Sequence, residues 1–309
     1  MPDGLNLYLA EPRGFCAGVR RAIALVEEAL ERYGAPVYVR HEIVHNQHVI
    51  NDLRRKGAVF VEETAEADPA RPLVISAHGA GLAVVEDARH RHKVVIDATC
   101  PLVEKIHREI KKYAAEGREI IVIGKAAHPE IIGTVGQLPG YGKIHVINSA
   151  AEAESLRPQT PEHIAFVSQT TLSVDETADI IAVLKRRFPA ISGLKSKDIC
   201  YATTNRQQAV KTLAAKAPCI LVLGSKNSSN SNQLRRVALQ AGAEMALLIN
   251  DATELDWQAV APYNHIGISA GASAPEYLVE DLLKEFARRY DKINVHRVII
   301  AEEKVNFKL

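Results

Sequence analysis

The sequence predicts an α/β protein built from three related lobes. Three observations carry that reading. Short apolar runs of strand length alternate with stretches of helical periodicity along the whole chain. Three cysteines, Cys16, Cys100 and Cys200, each head such a helical stretch, and polar loops recur at matching distances behind each of them. At 309 residues the chain is long enough for several α/β units with cores of their own.

The first lobe opens with Leu5, Leu7 and Leu9 alternating as in a strand, then Pro12 to Arg20 as a glycine-flanked turn around Cys16, then Ala22, Ile23, Val26, Ala29 and Leu30 at helical spacing. That places the thiol at a helix N-terminus, where orphan amides and the helix dipole favour the thiolate. A short strand at Val37 to Val39 leads into a polar loop containing His45 and Asn46. A strand at Leu73 to Ile75 leads into the glycine-rich turn Ser76 to Gly81, which contains His78. Such turns before helices offer amides to an anion.

The second lobe repeats the plan. A strand at Val94 to Ile96 precedes Cys100, with Pro101 suited to a first helical position. The helix through Ile106, Ile110 and Tyr113 ends by Gly117. The strand Ile120 to Ile123 then delivers His128, Pro129 and Glu130, on a loop after a strand where chemistry concentrates in α/β folds. The segment from His128 to Gly133 reads as a glycine-bearing loop able to close over a ligand. The strand Ile164 to Val167 leads to Gln169, Thr170 and Thr171.

In the third lobe Cys200 precedes Tyr201 to Arg206 and a helix. The strand Cys219 to Leu223 empties into Gly224 to Asn232, a run of hydroxyls and amides that includes Ser228, Ser229 and Asn230, before a helix at Leu234 to Leu239. A run of this composition also suits a flexible linker, but an apolar strand and a periodic helix flank it directly. Ile266 to Ser269 leads to Ser273 and a long C-terminal helix, and Val295 to Ile300 reads as a strand closing a sheet edge. Cys219 lies inside an apolar strand and reads as structural.

From each of the three cysteines to the first polar loop the separation is 29, 28 and 28 positions, measured to His45, His128 and Ser228. From there to the second loop, measured to His78, Thr170 and Ser273, it is 33, 42 and 45. These recurrences predict domains at 1–97 with Cys16, 98–197 with Cys100, and 198–309 with Cys200 and a C-terminal extension. Lobes closed about a common axis would bring three thiolates to one point and six loops around one pocket.

Charge is nearly balanced, with 38 Lys and Arg against 37 Asp and Glu, which argues against a nucleic-acid groove or a membrane surface and for a small substrate. No window is long and apolar enough for a bilayer span, and four dispersed cysteines suit a reducing compartment, so the expected location is cytoplasmic. Three thiolates with no fourth in register leave a metal site with one open position, or no metal. Open-site zinc would make a hydrolase or deaminase. An iron-sulfur cluster with three cysteine ligands would leave one iron free as a Lewis acid. The short ligand pairs of structural zinc are absent, which favours the cluster without deciding it.

Arg13 to Gly18, Glu42 to Asn46, Ala98 to Pro101, His128 to Glu130, Ser168 to Thr171, Cys200 to Arg206 and Ser225 to Asn230 together resemble the motifs of the 4-hydroxy-3-methylbut-2-enyl diphosphate reductase (LytB) family, from about Pro12 to Pro275. The resemblance implies a trefoil of three α/β domains around a 4Fe-4S cluster, with Cys16, Cys100 and Cys200 as ligands and a fourth iron open to substrate. It also implies the last step of the non-mevalonate isoprenoid pathway, a reductive dehydroxylation giving isopentenyl and dimethylallyl diphosphate. Electrons would come from a flavodoxin or ferredoxin. At the matched positions, Glu130 is expected as proton donor, with Thr170 orienting it or the hydroxyl. His45, His78, His128, Thr170, Thr171, Ser228, Ser229, Asn230 and Ser273 are expected around the diphosphate, several of them at helix starts where capping is the ordinary role. A zinc hydrolase would be colourless where a cluster protein is brown, and a non-catalytic cluster carrier would not bind a prenyl-type diphosphate.

Overall fold

The structure is a computed structural model that describes residues 4–193 and 198–309. In chain order the elements are β1 (Leu5–Glu11), α1 (Ala17–Tyr33), β2 (Val37–Arg40), α2 (Gln47–Lys56), β3 (Ala58–Val61), β4 (Leu73–Ile75), α3 (Leu82–Arg91) and β5 (Val95–Asp97). Then come α4 (Pro101–Ala115), β6 (Glu119–Ile123), α5 (Pro129–Val135), β7 (Ile144–Ile147), α6 (Ala150–Ser155), β8 (Ile164–Ser168), α7 (Val174–Arg187) and β9 (Ser192–Gly193). The chain finishes with α8 (Tyr201–Ala214), β10 (Cys219–Leu223), α9 (Ser229–Gln240), β11 (Met245–Ile249), α10 (Trp257–Val260), β12 (His265–Ala270), α11 (Glu276–Arg289) and β13 (Ile293–Ile299).

The strands form three parallel sheets of one pattern. Their orders are β3-β2-β4-β5, β7-β6-β8-β9 and β11-β10-β12-β1, the last extended by β13 on its outer edge as the sequence predicts. Parallel pairing needs a crossover between neighbours, which the intervening helices supply, and burial on both faces makes the central strands continuous apolar runs. β6, β8 and β10 are buried at every position.

The pairing assigns each thiol to a sheet in a way the spacing did not. β5 leads to Cys100 and β9 lies shortly before Cys200, so the sheets of residues 37–97 and 119–193 come before those cysteines rather than after them. β1, which leads to Cys16, pairs with β12 and β13 instead of with β2 to β5. A division at 97/98 therefore separates Cys100 from the strand that delivers it, and the boundary at 197 falls among residues outside those described. By contacts the chain forms two units: 1–19 with 45–51 and 201–306, and 20–44 with 52–200 and 307–309. The first unit holds the sheet of β1 and β10 to β13. Its core is Leu5, Leu7, Leu221, Ile268, Leu282 and Phe286 on one face and Val210, Leu213, Ile220 and Leu234 on the other. The second unit holds the other two sheets, each with its own apolar cluster.

Two local expectations change. His128 to Gly133 is no loop: Pro129 opens α5, the His128 side chain caps it, and Gly133 packs against the Gly79 backbone. The polar run after β10 is helical from Ser229, with Ser228 as its cap. Serine and asparagine read as loop because they compete for backbone hydrogen bonds, yet here they form a buried first turn.

Candidate active site

In the second unit, Cys100 and Cys200 each stand immediately before a helix, and each is partly exposed and in no disulfide. The Cys100 amide donates to the Ala77 carbonyl at 3.0 Å, and the Cys200 amide donates to the Thr170 carbonyl at 3.2 Å. Thr170 in turn donates twice to Glu130, from its amide to Oε1 at 2.7 Å and from its hydroxyl to Oε2 at 2.9 Å. Glu130 is 3 % exposed. Burial drives its carboxyl up to about 7, against the two Thr170 bonds, which favour the ionised form.

His128 lies beside this pair. Its Nδ1 accepts the Glu130 amide at 3.1 Å, so in the neutral ring the proton sits on Nε2, leaving that nitrogen as a donor. The His78 ring meets the His128 ring edge-on, with centroids 5.8 Å apart. A continuous run of contacts thus links the two thiols: Cys100, Ala77, His78, His128, Glu130, Thr170, Cys200. Thr171 is held by Gln169, whose Nε2 donates to its hydroxyl at 2.9 Å and whose Oε1 accepts the Lys125 amide at 3.2 Å. Gln169 is buried and fastens the two loops of this lobe to each other, a role that nothing in its sequence position signals.

The first unit shows the same construction. Cys16 is a free, partly exposed thiol before α1, and its amide donates to the Ala272 carbonyl at 3.1 Å. The Ala272 amide donates to Asn230 Oδ1 at 2.9 Å, and Asn230 Nδ2 reaches the Thr203 hydroxyl at 3.4 Å. Asn230 therefore stands to Ala272 as Glu130 stands to Thr170, each two residues into its helix after a capping side chain. Ser228 is that cap, and its hydroxyl accepts the Ser231 amide at 3.3 Å. Ser273 donates to the His45 carbonyl at 2.9 Å. Ser228, Ser229, Asn230 and Ser273 are all buried, while His45 is half-buried.

These repeated bonds set the residue-level register of the lobes. Ala77, Thr170 and Ala272 are equivalent, so His78 and Ser273 correspond to Thr171, one position beyond the Thr170 used in the spacing. The corresponding caps are Asn46, His128 and Ser228, where Asn46 Oδ1 accepts the His48 and Val49 amides. Asn46 is thus the structural counterpart of His128, with His45 one residue before it.

The family description "LytB protein" matches residues 7–287. The chain belongs to the LytB family. Among relatives of this LytB chain, the 4-hydroxy-3-methylbut-2-enyl diphosphate reductase of Gluconobacter oxydans is 52 % identical over 309 residues, covering 99 % of this chain and 91 % of the relative. The reductase of the same name from Phenylobacterium zucineum is 53 % identical, covering 99 % and 96 %. The solved structure of the E-1-hydroxy-2-methyl-but-2-enyl-4-diphosphate reductase from Plasmodium falciparum superposes with a TM-score of 0.92 at 36 % identity, covering 99 % of this chain and 95 % of that one. The LytB chain therefore has the fold of that enzyme, three related parallel sheets with helical crossovers.

The thiols available to a metal are Cys16, Cys100 and Cys200. Cys219 is wholly buried in β10, and desolvation pushes its thiol up to about 12, which opposes the thiolate a metal needs. Among the described residues no three His, Cys, Asp or Glu side chains gather to hold one metal ion. A cluster does not require such a group, because each thiolate binds its own iron. No helix among the described residues is long and apolar enough to cross a membrane.

Proposed function

We propose that this protein reduces 4-hydroxy-3-methylbut-2-enyl diphosphate to isopentenyl and dimethylallyl diphosphate. Two electrons and two protons are consumed: the carbon-oxygen bond breaks, one proton leaves with the oxygen as water, and the other goes to an allylic carbon. Three partly exposed cysteines outside any disulfide, each at the head of a helix, suit a 4Fe-4S cluster held by Cys16, Cys100 and Cys200. When bound, that group supplies the electrons and a Lewis acid toward the hydroxyl. A flavodoxin or ferredoxin is the proposed donor, and cysteines outside disulfides fit the cytoplasm.

The chain's own residues do the rest. Glu130 holds the proton for the departing hydroxyl, and Thr170 fixes that carboxyl with two hydrogen bonds. His45, His78, His128, Thr171, Ser228, Ser229, Asn230 and Ser273 are assigned to the diphosphate, which their donors and the starts of α5 and α9 suit. His128 offers Nε2–H, because Nδ1 is engaged with the helix.

The observation that carries this reading is Thr170. It binds the buried acid through its amide and hydroxyl, and it accepts the Cys200 amide at its carbonyl, so proton donor and proposed metal ligand hang from one residue. Anaerobically purified protein, given dithionite-reduced methyl viologen and the hydroxylated diphosphate, is expected to be brown and to form both products. Colourless protein without turnover would sink the proposal.

Asn230→Ala is expected to raise KM by roughly 10- to 100-fold, the value of one or two hydrogen bonds to a charged group. Part of that loss comes through the Ala272 amide, which would lose its acceptor. Steady-state kinetics with an unchanged KM would remove Asn230 from the diphosphate site.

A further inference from the structure

We propose that Arg206 and Glu303 together are positioning residues for Cys16, so that the C-terminal tail beyond β13 locks the turn presenting that thiol. The inference rests on the assignment of Cys16 as a cluster ligand, and deepens it.

Arg206 lies on α8 and, among the described residues, is the largest side chain buried completely, at 0 % exposure. A guanidinium has five N–H donors in a rigid fork, and all five are used here. Nε and Nη2 both donate to the Gly14 carbonyl, at 3.1 and 2.7 Å. Nη1 donates to the Ala202 carbonyl at 3.0 Å and to Glu303 Oε1 at 2.9 Å, and Nη2 donates to Glu303 Oε2 at 3.3 Å. Asn205 Nδ2 adds a bond to Glu303 Oε1 at 3.1 Å. The Glu303 side chain is itself only 8 % exposed.

Gly14 is two residues from the thiol and adopts φ +63, a left-handed conformation that needs glycine. Its amide donates to Ala270, and the Cys16 amide donates to Ala272, so the end of β12 holds one side of the turn. The Arg206 fork holds the other. Without Glu303 the buried guanidinium has no counter-charge, and a cation in that state moves toward water rather than staying bound to a neutral carbonyl. The Gly14 carbonyl then loses both of its Arg206 bonds. Lysine at 206 would restore the charge but not the fork.

The test is hydrogen exchange on the anaerobic holoenzyme, comparing wild type with Glu303→Ala and Glu303→Gln. Exchange at the amides of Gly14, Cys16 and Ala17 is expected to rise about tenfold or more in Glu303→Ala and by less in Glu303→Gln, while the amides of Leu102 and Val103 after Cys100 stay unchanged. In cluster-free protein, maleimide labelling of Cys16 should accelerate relative to Cys100. Unchanged exchange at Gly14 and Cys16, or an equal rise across β10 and β12, would overturn the proposal; Glu303→Gln gives the same readout where Glu303→Ala does not fold. Iron release to a chelator is a separate arm. It is expected to quicken, and a flat release with raised exchange would retain the coupling of tail to turn while retiring Cys16 as a ligand.

Discussion

Serine in place of Cys16, Cys100 or Cys200, one at a time, is expected to remove iron and turnover together, whereas Cys219→Ala keeps both. The contrast follows from surroundings, since none of the four is in a disulfide. The first three are partly exposed and stand directly before α1, α4 and α8, where unpaired amides and the helix dipole favour an anion. Their own amides are tied to the Ala272, Ala77 and Thr170 carbonyls, so the backbone of each turn survives the change of sulfur to oxygen. The serine variants should therefore remain folded, with circular dichroism spectra like that of cluster-free wild type. Cys219 packs among Leu221, Ile266 and their neighbours, and removing its sulfur should cost about 1 kcal/mol of stability, the scale of a small cavity. Iron content, the visible spectrum and the product assay measure all four variants. A folded Cys100→Ser protein with full iron and normal turnover would contradict the assignment.

The sequence carries the lobes clearly where burial is complete. β6, β8 and β10 are continuous apolar runs because both faces of a parallel sheet are covered, and each stands out from the periodic helices around it. The outer strands β3, β7 and β11 escape a reading by pattern. They have only one neighbour each, and their burial is mixed, with Val59 and Val146 exposed. Pairing across the chain is equally hidden: that β1 joins β12 depends on contacts some 260 positions apart, which no local pattern encodes. At the site, the thiols are visible as one residue type at recurring distances, and Glu130 as an acid beside a histidine in a loop after a strand. The supports are not. Gln169, Thr203 and Arg206 act through hydrogen bonds to segments distant in sequence, and Glu303 lies in a tail without periodicity. The one-position offset between Thr170 and Thr171 has the same origin, because register is fixed by the Cys200 amide bond and not by loop length.

Glu130→Gln is expected to lower kcat by about 10²- to 10⁴-fold, the usual contribution of a placed general acid, while the cluster stays intact. Glutamine keeps one oxygen to accept from the Thr170 amide and presents an NH2 that can donate to the Thr170 hydroxyl, so the bond between Thr170 and Cys200 should survive. What disappears is the acidic proton. Burial raises the Glu130 carboxyl from 4.5 to about 7, and the acid form is the one that donates. Turnover in the wild type should therefore fall as pH rises through about 7, and this limb should be missing from the residual activity of the variant. Stability gives an independent check with a fixed sign. A carboxyl whose folded value lies above its unfolded value stabilises the fold fully below the unfolded value, and that contribution is lost as pH rises through the folded one. Glu130→Gln should thus gain stability relative to wild type between about pH 4.5 and 7, and hold the gain above. Denaturant midpoints at pH 5 and pH 8 measure the difference in cluster-free protein, where iron does not contribute. A variant with wild-type kcat, the same pH limb and no relative shift in midpoint would leave Glu130 as nothing more than part of the first turn of α5.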